Sequence, residues 1–559
     1  MTISFPPGLI LVVGALLLPF VKGRMRDAAV LGLPLLTLAA VWMVPDGAAS
    51  TVSFLDYELV PVRGSAVGRL FGTIFSIMAF AGGWFALRQA KPIELVAALF
   101  YAGSAVVVST SGDLITLFMF WELMAVGSTV VLWASDETEA YRASMRYLLV
   151  HLLGGVILMA GIIAHVAETG SVALEAMRPD SLGRALILVG FLINAGAPPL
   201  GAWIADAYPE ASPSGMVFLS AYTTKTAVFA LLVCFPGTAI LIPVGLYMIF
   251  YGIIYALLEN DMRRILAYSI VNQVGFMVTG IGIGTEMSLN GSAAHAFAHI
   301  IYKALLLMSA GSVLYRTGKR KCTDLGGLFR TMPLTTLYGT VGALAISSFP
   351  FTSGFISKSM ISQGAADEHL ALVWLFLAAA SAGVFLHAGI KFPWFVFFQK
   401  DSGLRPEEPP ANMQGPMILF SVLCVGLGVF PGPLYRILPW PVDYQPYTAA
   451  HLVSQFQLLL FAGLAFFVML PQMKRTLTIT LDFDWFYRRF GRQVSKEFAT
   501  RTTTVHERLM EWAGVAARRT VDGLFRHHGP QGILARTWPT GSMMLWVAVL
   551  LGAIVLFYF

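Results

Sequence analysis

One carboxylate sits in the middle of an apolar run. Residues 113–133 read DLITLFMFWELMAVGSTVVLW, with Glu122 near the centre and no Lys or Arg within a helical turn or two of it. A bare carboxylate in hydrocarbon is costly, so Glu122 must face protein or water, take a partner from another helix, or hold a proton. Those are the requirements of a proton-relay site; the bland alternative is a protonated Glu bonded to a nearby hydroxyl. Other ionisable residues favour the relay. Lys225 lies in LSAYTTKTAVFALL. His295, His299 and Lys303 lie in HAFAHIIYKALLL, where a spacing of four and four puts all three on one face of a helix. Lys391 lies in FLHAGIKFPWFVFF, four residues after His387. Lysine and histidine in such surroundings can exchange protons at physiological pH. Any one of these lysines could be a structural ion-pair partner, but the set reads as a polar axis that conducts protons. Zinc is the rival ligand for His295 and His299. No HExxH glutamate accompanies them, and Lys303 on the same face repels a cation.

These residues must be positioned by helices that cross a bilayer. Hydrophobic residues make up 57% of the chain and charged residues 12%, against about 25% charged in a soluble domain. Mean hydropathy is +0.72. Apolar runs near 7–21, 28–44, 66–87, 93–110, 114–134, 144–166, 183–204, 213–234, 237–257, 265–284, 291–315, 334–356, 370–398, 414–432, 452–471 and 541–559 predict about sixteen spans. The fold class is therefore all-α, a polytopic membrane helix bundle. The first run has no basic n-region and no clear cleavage site, so it reads as a retained helix.

Loop charges alternate. Lys22, Arg24 and Arg26 fall on one side and Asp46, Asp56 and Glu58 on the other. Arg88, Lys91, Arg142, Arg146, Arg263, Arg264, Arg316, Lys319, Arg320 and Lys321 return to the first side. The positive-inside rule then puts the N-terminus outside and these basic loops in the cytoplasm, with Lys319 and Arg320 read as solvated loop charges. It also accounts for the net charge of +6 without any nucleic-acid partner.

Two spans are interrupted, one by Gly196-Ala197-Pro198-Pro199 and one by Pro350 and Gly354. Such breaks are tolerated at membrane depth only where protein or a water-filled cavity satisfies the freed backbone. A pair of them, one in each half, points to an ion pathway; the alternative is a pair of structural kinks. Residues 473–540 mix aromatics with Arg and Lys and are too polar to span. Their helical spacing suits an amphipathic helix along the cytoplasmic membrane surface, reaching roughly 65 Å over 484–528 if fully helical; the alternative for part of it is an irregular cytoplasmic linker. Cys234, Cys322 and Cys424 are far apart with no CxxC, so neither an iron–sulfur cluster nor a zinc ribbon is indicated. No GxGxxG follows a strand and no P-loop is present, so no cofactor is expected.

At these residues the chain resembles the antiporter-like, proton-translocating membrane subunits shared by respiratory complex I, membrane-bound hydrogenases and Mrp-type Na⁺/H⁺ antiporters. The matching stretches are FMFWELM, AWIADAYPEASPS, TTKTAVFAL, DMRRILAYSIVNQVGFM, HAFAHIIYKALLLMSAG, GGLFRTMP and SGFISK, over roughly residues 65–432. KFPWFVFFQKDSG at 391–403 resembles the D-type component of Mrp antiporters, and the late amphipathic segment resembles a short form of the lateral helix of complex I. The resemblance implies two inverted five-helix repeats, at 91–235 and 236–400, each with a broken helix. These follow N-terminal helices at 1–90. Further spans lie at 401–472, the amphipathic segment at 473–540 and a terminal span at 541–559. It implies two half-channels joined by a central axis. The family's glutamate falls on Glu122, its central lysines on Lys225 and Lys303, and its exit-side lysine on Lys391. One position departs from the family pattern. The lysine common in the first broken helix is Asn194 here, and the usual histidine after the Pro-Leu pair is Gly201. Either Lys225 pairs with Glu122 instead, or the first half-channel is altered or idle.

The expected function is ion translocation, H⁺ with Na⁺ exchange as an option, within a multisubunit complex of Mrp type in a bacterial inner membrane. The alternatives are a proton-pumping subunit of a complex I-like quinone oxidoreductase, of a hydrogenase or of an inorganic-carbon uptake complex, and a structural subunit with a dead channel. The chain has no redox-centre motif, so its driving force must come from partner subunits or an existing gradient.

Overall fold

The structure is a computed structural model that describes residues 3–471, 482–530, 532–536 and 539–558. Among the described residues, 14 helices are long and apolar enough to cross a membrane, and two shorter apolar helices lie at Leu9–Phe20 and Pro333–Ile346. Each predicted run coincides with one of these. The N-terminal helices are α1 (Leu9–Leu17), α2 (Gly23–Trp42), α3 (Ala66–Ala86) and α4 (Pro92–Ser109). Then come α5 (Leu114–Trp133), α6 (Thr138–Thr169), α7 (Leu182–Ala195), α8 (Trp203–Ala207), α9 (Gly215–Leu219) and α10 (Thr223–Cys234). The next set is α11 (Leu241–Leu258), α12 (Met262–Ile283), α13 (Glu286–Thr317), α14 (Pro333–Ile346), α15 (Ser353–Asp367) and α16 (Ala371–Val384). The bundle closes with α17 (Ala411–Val429), α18 (Gly432–Tyr435) and α19 (Ala449–Val468), and the late helices are α20 (Gly491–His528) and α21 (Thr540–Tyr558).

Helix starts are written in short polar side chains. Ser65, Asp113, Ser181, Asp261, Thr285 and Thr448 each accept a backbone N–H of the turn they open. α12 and α13 are enclosed on nearly every side, whereas α16, α17 and α19 keep an apolar outer face exposed. That pattern places the polar residues of α12 and α13 at the centre and leaves the outer helices to face lipid.

The acidic loop expected between the second and third spans is instead an antiparallel hairpin of β1 (Gly47–Phe54) and β2 (Tyr57–Gly64). Thr51, Val52, Phe54, Tyr57, Leu59, Val60 and Val62 supply the β-formers that make it. It matters for the site because it docks on the start of α5. Asp113 Oδ1 accepts the Thr116 N–H at 2.6 Å, and Asp113 Oδ2 accepts the Val60 N–H at 2.9 Å. One buried carboxylate thus caps the helix that carries Glu122 and anchors the hairpin.

Both predicted breaks are present. α7 stops at Gly196, whose φ of 83° is left-handed, and the chain resumes as α8 after the two prolines. Arg146 of α6 holds α8 in place through a two-pronged contact with Asp206 at 2.7 and 2.8 Å. The second break lies between α14 and α15, where Ser348 and Phe351 carry φ of 57° and 68°. Two further irregularities were not among the expected breaks, and the first of them carries no Pro or Gly at the break itself. Residues Ser220 to Tyr222 interrupt α9 and α10, and the span that begins as α16 continues as π-helix over Phe385–Lys391 and Trp394–Phe398.

Arg320 is not a solvated loop charge. Its guanidinium makes two bonds to Glu210 at 2.9 and 2.8 Å and one to Asp261 at 2.7 Å. It therefore ties the loop after α13 to the turn after α8 and the cap of α12. Arg320→Ala is expected to lower stability by about 1–3 kcal/mol, read as a lower melting temperature of the detergent-solubilised protein. Lys319→Ala should leave it unchanged.

Contacts divide the chain into a first unit, Met1–Asp484, and a second, Trp485–Phe559. The boundary expected at 472/473 lies outside the described residues. Within the first unit, Asp482 is buried and accepts the hydroxyls of Tyr251, at 2.8 and 2.7 Å, and Tyr268, at 2.7 Å. Asp482, within the segment read as wholly surface-lying, is therefore packed against α11 and α12. In the second unit, α20 is an amphipathic helix of 38 residues, about 57 Å at 1.5 Å per residue. Val494, Phe498, Val505, Leu509 and Trp512 recur on one face.

Candidate proton pathway

Glu122 is half-buried on α5, and its Oε1 is buried with no hydrogen-bond partner among the described residues. It packs against Gly155 of α6, where a methyl built on the glycine would lie 2.2 Å from Oε1. Asn194 of α7 lies beside the adjacent Gly154 and is 4% exposed. His151, one turn before Gly155, is near Asn194 and held between the rings of Tyr147 and Trp203 at 4.1 and 4.6 Å. Its Nε2 makes no hydrogen bond among the described residues. His151 is absent from the residues expected from sequence; its signal was a histidine inside the apolar run LLVHLLGG. Gly155→Ala should displace the Glu122 carboxylate and lower proton flux about tenfold, with normal amounts of protein in the membrane. Vesicle flux assays read it.

Lys225 does not pair with Glu122. Its ammonium donates to the Ser220 carbonyl at 2.7 Å and to Thr224 Oγ1 at 3.1 Å. The same device recurs at two other lysines. Lys358 donates to the Ile346 carbonyl at 2.6 Å, and Lys391 donates to those of Ala256, Leu257 and Glu259 at 3.0, 2.6 and 2.6 Å. Ser220 ends α9, Ile346 ends α14, and residues 256–259 end α11. The last turn of a helix leaves carbonyls without intrahelical partners and carries the negative end of the dipole. A lysine placed there is held without a carboxylate. Lys303, on α13, instead meets Ser269 Oγ and the Leu266 carbonyl of α12. Lys225, Lys303, Lys358 and Lys391 are all at most 6% exposed. Among the described residues none of them forms an ion pair.

Histidines link the lysines. His299 is fully buried with both ring nitrogens unbonded among the described residues, and it lies within electrostatic reach of Lys225, Lys303, His295 and Lys358. His295 Nδ1 faces Ser357 Oγ at 2.9 Å and its Nε2 faces Gln273 Oε1 at 3.1 Å. The Tyr302 hydroxyl donates to the same Gln273 oxygen at 3.0 Å. Gln273 Nε2 donates to Asn272 Oδ1, and Asn272 Nδ2 meets His387 Nε2 at 3.0 Å. His387 lies on the first π-helical stretch, one turn before Lys391.

The structure thus brings Lys225, His295, His299, Lys303 and Lys391 into one buried row across α10, α13 and the π-helical segment. Glu122 and Asn194 lie apart from it, near each other on α5 and α7. His387, noted in the sequence beside Lys391, belongs to the row, as do Lys358, Gln273 and Asn272, which were not among the residues expected from sequence. Their clue was polar side chains inside the apolar runs SGFISK and SIVNQVGFM. At the end of the bundle that carries the basic loops, a cavity of about 470 Å³ is lined by Lys91, Glu94, Glu210, Ser212, Arg263 and Arg320. Glu94 is 1% exposed there and accepts the Ser212 hydroxyl at 2.8 Å and that of Ser214.

Residues 111–385 match the family described as NADH:quinone oxidoreductase/Mrp antiporter, transmembrane. Relatives carry the same stamp. The chain is 27% identical over 347 residues to the D component of the Na⁺/H⁺ antiporter of Alkalihalophilus pseudofirmus, covering 58% of this chain and 70% of that one. It is 26% identical over 484 residues to the N component of the NADH-quinone oxidoreductase of Desulforudis audaxviator, covering 79% and 94%. Residues 111–385 are those of an antiporter-like membrane subunit of this family. Some curated relatives in it are longer proteins, of which the chain spans as little as 37%. The fold of a chain in the archaeal membrane-bound sulfane sulfur reductase is similar, with a TM-score of 0.70 at 22% identity, over 98% of this chain and 99% of that one. Family members with that fold are multi-pass membrane subunits of larger complexes.

Proposed function

We propose that this chain is the proton-translocating, D-type component of an Mrp-like antiporter complex in a bacterial inner membrane. The observation that carries the reading is the row of four buried lysines and three histidines with no carboxylate among its hydrogen-bond partners in the described residues. A string of groups that each gain and lose a proton, held by carbonyl dipoles and not by counter-ions, serves transfer better than static ion pairing. The site residues are Lys225, His295, His299, Lys303 and Lys391, with Glu122 as the proton-loading carboxylate beside Asn194. The basic loops lie in the cytoplasm and the N-terminus outside. Similarity to the D component of a Na⁺/H⁺ antiporter supports sodium as the exchanged ion.

A second reading is favoured by the share of the quinone oxidoreductase's N component that is matched, 94% of its length. In it the same proton row is driven by redox subunits. Mild-detergent purification of the tagged chain distinguishes the two. Small hydrophobic partner subunits and Na⁺-dependent proton flux in vesicles support the Mrp-type reading. Partners that bear flavin, iron–sulfur or nickel centres overturn it in favour of redox coupling, and a complex without proton flux overturns both.

A further inference from the structure

We propose that the side chains of Gln273 and Asn272 form a two-amide barrier that stops protons between His295 and His387 in the conformation seen here. The inference rests on the conduction reading above.

These two residues are adjacent on α12, fully buried, and form the only bridge by hydrogen bonds among the described residues between the two histidines. The donors all point one way. His295 Nε2–H and the Tyr302 hydroxyl point at Gln273 Oε1. Gln273 Nε2 points at Asn272 Oδ1, and Asn272 Nδ2 at His387 Nε2. His387 Nδ1–H in turn donates to the Gly383 carbonyl at 2.8 Å. A carbonyl only accepts and an amide nitrogen only donates, so His387 is held neutral with its proton on Nδ1 and its Nε2 lone pair covered.

Hydroxyls, imidazoles and water pass a proton along by taking one and releasing another. A primary amide does neither at neutral pH: its oxygen is too weak a base and its nitrogen too weak an acid. A proton on His295 can therefore be stabilised by Gln273 Oε1 but not handed on through it. Transfer to His387 and Lys391 requires the Asn272–His387 contact to open, so that His387 Nε2 can take a proton from another donor. His387 sits on a π-helical stretch, a backbone form with a register that can shift at functional sites. The barrier thus separates the Lys225–Lys303 side of the row from the Lys391 side and prevents a standing leak.

Because the two amides stand in series, removing one should leave the other. The passive proton leak of vesicles containing the intact complex is the readout. Gln273→Glu and Asn272→Asp are isosteric, and each alone should leave the leak within about twofold of wild type. The double variant places two titratable carboxyls between the histidines and should raise the leak at least about tenfold. Adding His387→Phe to the double should return the leak to the wild-type value. Gln273→His with Asn272→Asp supplies a second titratable pair should the double carboxylate not assemble. An assembled double variant with no extra leak overturns the proposal. So does either single variant leaking as much as the double, or a leak that survives His387→Phe. If wild-type flux is indifferent to loss of Lys303, the conduction reading has failed. If flux needs Lys303 and the double adds no leak, only the barrier has failed.

Discussion

Glu122→Gln is expected to reduce coupled proton transport at least about 100-fold while the protein still reaches the membrane in normal amounts. The loss of a positioned acid–base group costs about 10²–10⁴ in rate. The substitution keeps the size of the side chain and its fit against Gly155, and removes only the proton it loads. Glu122 Oε1 has no hydrogen-bond partner to lose among the described residues, so folding has little to register. Transport close to wild type would remove Glu122 from the pathway. The same geometry bears on Asn194. Lys225 caps the end of α9 and makes no ion pair with Glu122, so Asn194→Lys should not rescue Lys225→Ala. Rescue would mean that the two do interact during the transport cycle.

Lys391→Ala should have two effects at once. Three carbonyls at the end of α11 lose their common donor. Leaving a buried acceptor unsatisfied costs about 1–3 kcal/mol, so the melting temperature should fall. Proton flux should fall at least about 100-fold, because His387 then has no titratable neighbour one turn on. Lys391→Arg separates the effects. Arginine donates to carbonyls as well as lysine does but stays protonated at all relevant pH. It should recover much of the stability and little of the flux. Recovery of both would make Lys391 a structural cap.

The spans and the Pro-marked breaks were legible in the sequence because both follow from local chemistry: bilayer thickness fixes the run length, and proline cannot continue a helix. The ionisable residues were legible for the same reason, since a charge in an apolar run stands out. What they touch was not legible. Lys225 and Glu122 could be paired on paper because sequence says nothing of direction, whereas the freed carbonyl at Ser220 exists only once α9 and α10 are broken. That break comes from packing between helices and carries no Pro or Gly, whereas the π-helical stretch around His387 contains Gly389 and precedes Pro393, a cue that was not read as a break. The hairpin after α2 was missed because its Asp46, Asp56 and Glu58 drew attention to charge, while the alternating β-formers between them were the stronger cue. Arg320 looked like a loop charge because its two carboxylate partners, Glu210 and Asp261, are distant in sequence. Gln273 and Asn272 were passed over because neither titrates.

Lys303 is the point through which the proposed pathway is tested most directly. It is fully buried at the centre of α13, meets Ser269 of α12, and lies within reach of Lys225, Lys358 and His299. The measurement is proton uptake into vesicles containing the intact complex, followed with a pH-sensitive dye, for wild type, Lys303→Ala and Lys303→Arg. Conduction along the lysine–histidine row predicts that both variants assemble and that both lose at least about 99% of the flux, since arginine keeps the charge and cannot release the proton. Flux in Lys303→Arg equal to wild type would contradict proton transfer through Lys303 and leave it as a structural cation.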